Sequence, residues 1–141
     1  MVEISGIGAS DAQRAGYFQY DTATTHHSMN CLGLLQDIQH NINLPVKAYD
    51  GSVSYCQIMG TLVLYHNNKE IHYKDCLYDP RYSNLISGQR IGAHILRQNG
   101  NIAVLERQGK IVYQMDVDHQ GGLWIKNTEG RINHTNAEVI K

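Results

Sequence analysis

From residue 44 onward the chain is cut at short intervals by turn-forming groups: Asp50-Gly51, Asn67-Asn68-Lys69, Asp79-Pro80-Arg81, Asn99-Gly100 and Gln108-Gly109. Glycine accepts the positive φ that a tight hairpin turn demands, and proline cannot donate to a ladder, so such groups end strands and begin new ones. The intervening segments are short and rich in Val, Ile, Leu and Tyr. This punctuation predicts an all-β domain. Strands are expected over Tyr17 to Asp21, Leu44 to Tyr49, Ser52 to His66, Glu70 to Tyr78, Ile95 to Arg97, Ile102 to Arg107, Ile111 to Val117 and Leu123 to Lys126. Within Ser52 to His66, alternation around Val53, Tyr55 and Gln57 marks a half-exposed hairpin, and Thr61 to Tyr65 marks a strand entering the core. One short helix is expected at Gln89 to Ala93. Leu32, Leu35, Ile38 and Ile42 fit either a short helical turn or an irregular loop.

A length of 141 residues suits one domain with a modest core. The net charge of -1 supplies no general attraction to polyanions, which argues against direct nucleic-acid binding. No apolar run approaches a membrane span, and Met1 to Ser10 lacks the basic and hydrophobic parts of a signal peptide. Cys31, Cys56 and Cys76 are odd in number and far apart, against a disulfide framework and in keeping with a reducing compartment. The expected location is cytoplasmic. His26-His27 with Cys31 is the best local metal candidate, but it lacks the paired knuckles of a structural zinc site, so neither a metal nor another cofactor is expected.

The segment Tyr17-Phe18-Gln19-Tyr20-Asp21-Thr22-Ala23-Thr24-Thr25-His26-His27 delivers a single Asp from an aromatic strand into a polar turn. Alone, Asp-Thr-Ala is a weak signal, because an Asp at a strand end is usually a turn or cap residue. Its order relative to other motifs is more specific. Asp21-Thr22-Ala23 with a His six residues later is followed by Tyr49-Asp50-Gly51, by Asp75-Cys76-Leu77-Tyr78-Asp79-Pro80 and by Asn84-Leu85-Ile86-Ser87. This series resembles the protease region of copia-type LTR retrotransposon polyproteins, whose pattern is roughly Asp-Ser-Gly-Ala-Ser/Thr-x-His, Asp-Gly, Val-Leu-Tyr-x-Pro and Asn-Leu-Leu-Ser. The likeness covers about residues 17 to 126. Tyr82 to Gly92 is similar to the segment that crosses behind the catalytic loop of retropepsins and then forms their helix.

The resemblance implies a retropepsin-like closed β-barrel with a flap hairpin, one short helix and a C-terminal β extension. It divides the chain into a flexible leader or edge strand (1–16), a core (17–98), a β extension (99–126) and a polar tail (127–141). It also implies a homodimeric aspartic endopeptidase that cleaves an extended peptide or Gag-Pol polyprotein, in the cytoplasm and within virus-like particles. Asp21 would be the catalytic residue. Thr22, Ala23 and Thr24 would form the active-site loop and dimer lock, Tyr49, Asp50, Gly51 and Ser52 the flap, and Asn84, Leu85, Ile86 and Ser87 the supporting turn. Tyr49, Ser52, Val53 and Leu85 are candidate walls of the substrate cleft. His27 matches the family's His and organises the loop, because aspartic chemistry requires no imidazole.

Two residues depart from the pattern. Ala23 stands where the family has Gly, whose missing Cβ lets backbone approach carboxylate and substrate closely. Thr24 replaces a small Ala with a β-branched residue. These departures leave open a catalytically impaired retropepsin-like module for dimerisation or peptide binding, and an unrelated small β-barrel in which the same motifs are only turns.

Overall fold

A computed structural model describes residues 2–4, 16–48, 50–92 and 94–127. Most of the leader, the Tyr49 flap position, Ala93 at the end of the expected helix and nearly all of the polar tail lie outside the described residues. Among the described residues the chain is all-β, with one α-helical turn and one 3-10 turn. In order, β1 is Val2–Ile4, β2 Tyr17–Asp21, β3 Ser28–Met29, β4 Leu35–Gln39, β5 Leu44–Ala48, β6 Val53–Cys56, β7 Met59–His66, β8 Lys69–Tyr78 and β9 Leu85–Ser87. The helix α1 (Gly88–Ile91) follows, then β10 (Ile95–Asn99), β11 (Ile102–Arg107), β12 (Lys110–Val117) and β13 (Leu123–Lys126).

The strands form two sheets. A three-stranded sheet has the order β1-β5-β6, and a ten-stranded sheet runs β10-β11-β12-β13-β2-β9-β3-β8-β7-β4. The expected closed barrel is not found: β10 and β4 are the two ends of the large sheet and do not pair with each other. Residue 98, the expected end of the core, lies inside β10. The main hydrophobic cluster draws Phe18, Leu64 and Ile86 together with Leu105, Tyr113 and Ile125, so both sides of that position fill one core.

One expectation is met in part and another is corrected by local geometry. The segment from Met29 to Ile42 contains a 3-10 turn (Leu32–Leu34) and then the strand β4, which pairs antiparallel with β7 through Leu35↔Leu62, Gln36↔Thr61 and Gln39↔Met59. The register slips between Gln36 and Gln39, where Asp37 sits at φ 50°, and this bulge destroys the period of two that would have marked a strand. Gly60 of β7 permits the close approach, since a Cβ there would lie 2.8 Å from the Gln36 carbonyl oxygen. The segment Ser52 to His66 is likewise two strands. The chain changes sheet at Gln57-Ile58, so β6 stays with β5 while β7 pairs with β8.

The helix is one turn long and starts a residue earlier than expected. Ser87 caps it, its hydroxyl accepting from the Arg90 N–H at 3.3 Å, and Gly92 at φ 91° ends it. The two halves of the core meet at a polar contact. Tyr73 of β8 and Tyr113 of β12 share a hydrogen bond of 2.6 Å between their hydroxyls, and burial raises both phenol pKa values. Tyr113→Phe therefore strands the Tyr73 hydroxyl and should lower stability by about 1–2 kcal/mol, whereas adding Tyr73→Phe should recover part of that loss. Urea titration of the three variants against the parent chain checks both signs.

Candidate active site

β2 ends at Asp21 because the parallel partner β9 ends there too: Gln19 faces Leu85, Tyr20 faces Ile86 and Asp21 faces Ser87. β9 also meets β3 on its other side through Ser28↔Leu85, so the Asn84–Ser87 segment lies between the strand that delivers Asp21 and the strand that follows the loop. The expected supporting turn is thus a buried strand, with Leu85, Ile86 and Ser87 each 0% exposed. Asn84 secures its entry. The Asn84 side chain accepts from the Asn30 N–H at 2.8 Å and its carbonyl accepts from the Gln19 N–H at 2.8 Å.

The loop holds the Asp21 carboxylate by both oxygens. Oδ1 accepts from the Ala23 N–H at 2.8 Å, and Oδ2 accepts from the Thr24 hydroxyl at 3.2 Å. Thr24 is fully buried, and its carbonyl accepts a 2.5 Å hydrogen bond from the Ser87 hydroxyl. The bulkier residue at position 24 therefore contributes a donor to the carboxylate. Gln89 donates through Nε2 to the Thr22 carbonyl at 2.8 Å, bracing the loop from α1. Thr22 and Ala23 are exposed, and Asp21 is half-buried. Asp21 and Thr22 border an open depression of about 400 Å³ shared with Leu96, Gly121, Gly122 and Leu123.

His27 is buried beneath this loop. Its Nδ1 accepts from the Ser87 N–H at 3.0 Å, and its ring stands 4.3 Å from that of Tyr73. Loss of solvation, with Arg90 and His26 nearby, lowers its pKa to about 3. A neutral His27 is thus an acceptor that ties β9 to the loop. Among the described residues no three His, Cys, Asp or Glu side chains are grouped to hold a metal ion.

Of the expected flap residues, Asp50, Gly51 and Ser52 form a separate, self-contained turn. Asp50 Oδ1 accepts from both the Ser52 N–H (2.9 Å) and the Ser52 hydroxyl (2.6 Å), which lowers the carboxyl pKa. Gly51 at φ 88° donates to the Ala48 carbonyl at 2.9 Å, and the Ala48 N–H donates to Ser52 at 2.8 Å. Val53 and Tyr55 of β6 are exposed at 50% and 61%. Among the described residues no hydrogen bond joins Asp50, Gly51 or Ser52 to the Asp21 loop. Leu85 does not line a cleft: it is buried with Val46, Cys56 and Leu77. Arg81, unremarkable in the sequence, pairs with Asp79 at 2.7 Å and donates to the Ser54 hydroxyl at 2.6 Å, tying β6 to the turn after β8.

Three further contacts were not legible as site features. Tyr20 is hydrogen-bonded through its hydroxyl to His94 Nε2, Gln89 braces Thr22, and Gly88 packs against both Thr22 and Tyr20. A Cβ at Gly88 would come within 2.9 Å of Thr22 Cγ2 and of the Tyr20 hydroxyl. A Gly next to a motif Ser is the only sequence signal among these.

Because the folded-state pKa of His27 lies below its ordinary value of about 6.5, the unfolded chain takes up a proton that the fold excludes. Its contribution to stability is complete above about pH 6.5 and is lost as pH falls toward 3, by up to about 1.4 kcal/mol per pH unit. His26, also lowered chiefly by burial, acts in the same direction. His27→Gln should flatten this dependence in denaturant melts between about pH 4 and 6.5; an unchanged slope would assign it to other groups. Gly88→Ala should lower stability by about 1–3 kcal/mol by pushing on Thr22 and Tyr20, whereas exposed Ala23→Gly should change it by less than about 1 kcal/mol. Thermal and urea unfolding of the two variants distinguishes these positions.

Comparison of the chain with protein-family models, with curated proteins and with solved structures finds no match.

Proposed function

We propose that this chain is one subunit of a homodimeric aspartic endopeptidase of retropepsin type, which cleaves a retroelement Gag-Pol polyprotein. The observation that carries this reading is the Asp21 loop: a strand-end carboxylate oriented by the Ala23 N–H and the Thr24 hydroxyl, braced from behind by β9 and α1, with Thr22 and Ala23 facing outward. The insertion of β9 between β2 and β3 supports a retropepsin-like arrangement, although the large sheet remains open at β10 and β4.

One such loop carries one carboxylate, and peptide hydrolysis of this kind needs two. A two-fold partner would bring a second Asp21 opposite the first, where like charges about 3 Å apart share one proton. The ionised carboxylate would take a proton from water as the oxygen attacks the scissile carbonyl. Its protonated mate would donate to the carbonyl oxygen, giving a neutral tetrahedral diol. Collapse of the diol would return a proton to the leaving nitrogen and break the C–N bond. The two pKa values would belong to the pair. Thr22, exposed beside Asp21, would bond across the interface, and the hairpin tip at Asp50-Gly51 would close over an extended substrate. Such assembly would take place in the cytoplasm and in virus-like particles.

Purified chain incubated with its parent polyprotein should cleave it with a rate that rises with dimer formation, and Asp21→Asn should reduce cleavage by about a thousand-fold or more while leaving sedimentation as a dimer unchanged. Equal cleavage by the Asn variant would remove Asp21 from the mechanism. A dimer of the parent chain that never cleaves would identify the impaired binding or dimerisation module instead.

A further inference from the structure

A groove of about 780 Å³ runs between β8 and β12 and is walled by five successive residues from Lys69 to Tyr73 and three from Lys110 to Val112. This volume lies within the range of ligand clefts, about 300–1,000 Å³. Its charged rim is mostly of one sign. Lys69, Arg90, Arg107 and Lys110 line it, against a single carboxylate, Glu70, which sits 3.5 Å from His72. Arg90 lies 3.9 Å from Asp75, whereas no ion pair joins Lys69, Arg107 or Lys110 to any acid among the described residues. The remaining wall is aliphatic, supplied by Ile71, Ile91, Ile111 and Val112. Ile111 is 51% exposed.

The backbone adds a second, independent feature. β8 pairs with β7 along one edge, but on the other edge β3 reaches only Leu77 and Tyr78. Residues 69–75 thus present an edge with no strand partner among the described residues. Among the described residues β12 has no strand partner on that edge over residues 110–113, since the Gln114 N–H donates to His66 Nε2 at 3.1 Å and β13 joins from Met115 onward. Open edges offer unpaired N–H and C=O groups to an added strand.

We propose that this groove docks an extended acidic peptide, with aliphatic side chains at alternate positions, as an added strand on the open edge of residues 69–75. The carboxylates of the peptide meet the Lys and Arg rim, and its aliphatic side chains meet the Ile and Val wall. A nucleic-acid strand fits less well. It needs aromatic faces for its bases, and Tyr73 is already committed to His27 and to the Tyr113 hydroxyl. The inference stands apart from the proteolytic reading, since neither Asp21 nor any residue from Thr22 to Thr24 lines the groove.

The test is fluorescence anisotropy with a fluorescein-labelled peptide of alternating Glu and Val, about eight residues long, and the full chain. Saturable binding is expected, weakening as salt rises from about 0.05 to 0.5 M, and falling about ten-fold or more in the double variant Arg107→Glu, Lys110→Glu. A peptide N-methylated at alternate amides, which leaves the protein untouched, should also lose about ten-fold or more. The absence of saturable binding, equal binding of the N-methylated peptide, or tighter binding of an oligothymidylate would each overturn the proposal.

Discussion

The parallel pairing of β2 with β9 is the contact on which the rest of the molecule depends. It joins residues 19–21 to residues 85–87 and, through Ser28↔Leu85, draws in the strand that follows the Asp21 loop. Parallel partners require a long crossover, and here the whole stretch of β3 to β8 is that crossover. Closing so large a loop before any of its contacts form is entropically costly, so the core contacts of Phe18, Leu62, Leu64 and Ile86 must hold it. Ser87 then concentrates three tasks in one residue. Its N–H meets His27, its hydroxyl meets the Thr24 carbonyl, and the same oxygen caps α1.

This arrangement explains why a surface loop is rigid enough to present a carboxylate. Thr22 and Ala23 are exposed, yet their neighbours on either side are fixed: Asp21 by its strand, Thr24 and His27 by burial. The loop's backbone therefore has little freedom, and the two donors to Asp21 arise from that fixed backbone and side chain. Preorganised donors of this kind set the direction in which a carboxylate can act. The Asp50–Ser52 turn is organised by a different logic. Asp50 satisfies Ser52 locally, and Arg81 anchors the β6 strand through Ser54, so the hairpin is held at its base and in its tip rather than by the Asp21 loop.

Much of the strand layout was legible because turn chemistry is local. Asn99-Gly100 and Gln108-Gly109 bound β10, β11 and β12, and Leu123 to Lys126 is β13 at its expected limits. What was not legible depends on partners. The Leu35 and Ile38 spacing reads as helical, yet in β4 it arises from a bulge at Asp37, which sits at positive φ where the register with β7 shifts. The break at Gln57-Ile58 carries no Gly or Pro, yet the chain changes sheets there. Leu85, a candidate cleft wall that with Ile86 also reads as core residue, lies in the core between β2 and β3. At the candidate site the position of Asp21 was readable, as was the organising place of His27. The donor from Gln89 was not, since nothing in a side chain's identity names a partner 67 residues away, and neither was the local donor from Thr24, three residues beyond Asp21.

The departure at position 23 changes meaning in this geometry. Glycine is required where φ is positive or where a Cβ would strike a neighbour. Ala23 meets neither condition within the chain: it is exposed, and its φ is not among the positive values that Asp37, Asn41 and others adopt. The close approach falls instead at Gly88, against Thr22 and Tyr20. The loop thus needs its glycine on the supporting helix, one layer behind the carboxylate. Any cost of the Ala23 methyl would arise between two subunits of the proposed dimer, where it would separate the facing loops or narrow the space above the carboxylates. In the proposed dimer, folding of the loop and catalysis across it would consequently be separable properties, and alanine at position 23 would constrain only the second.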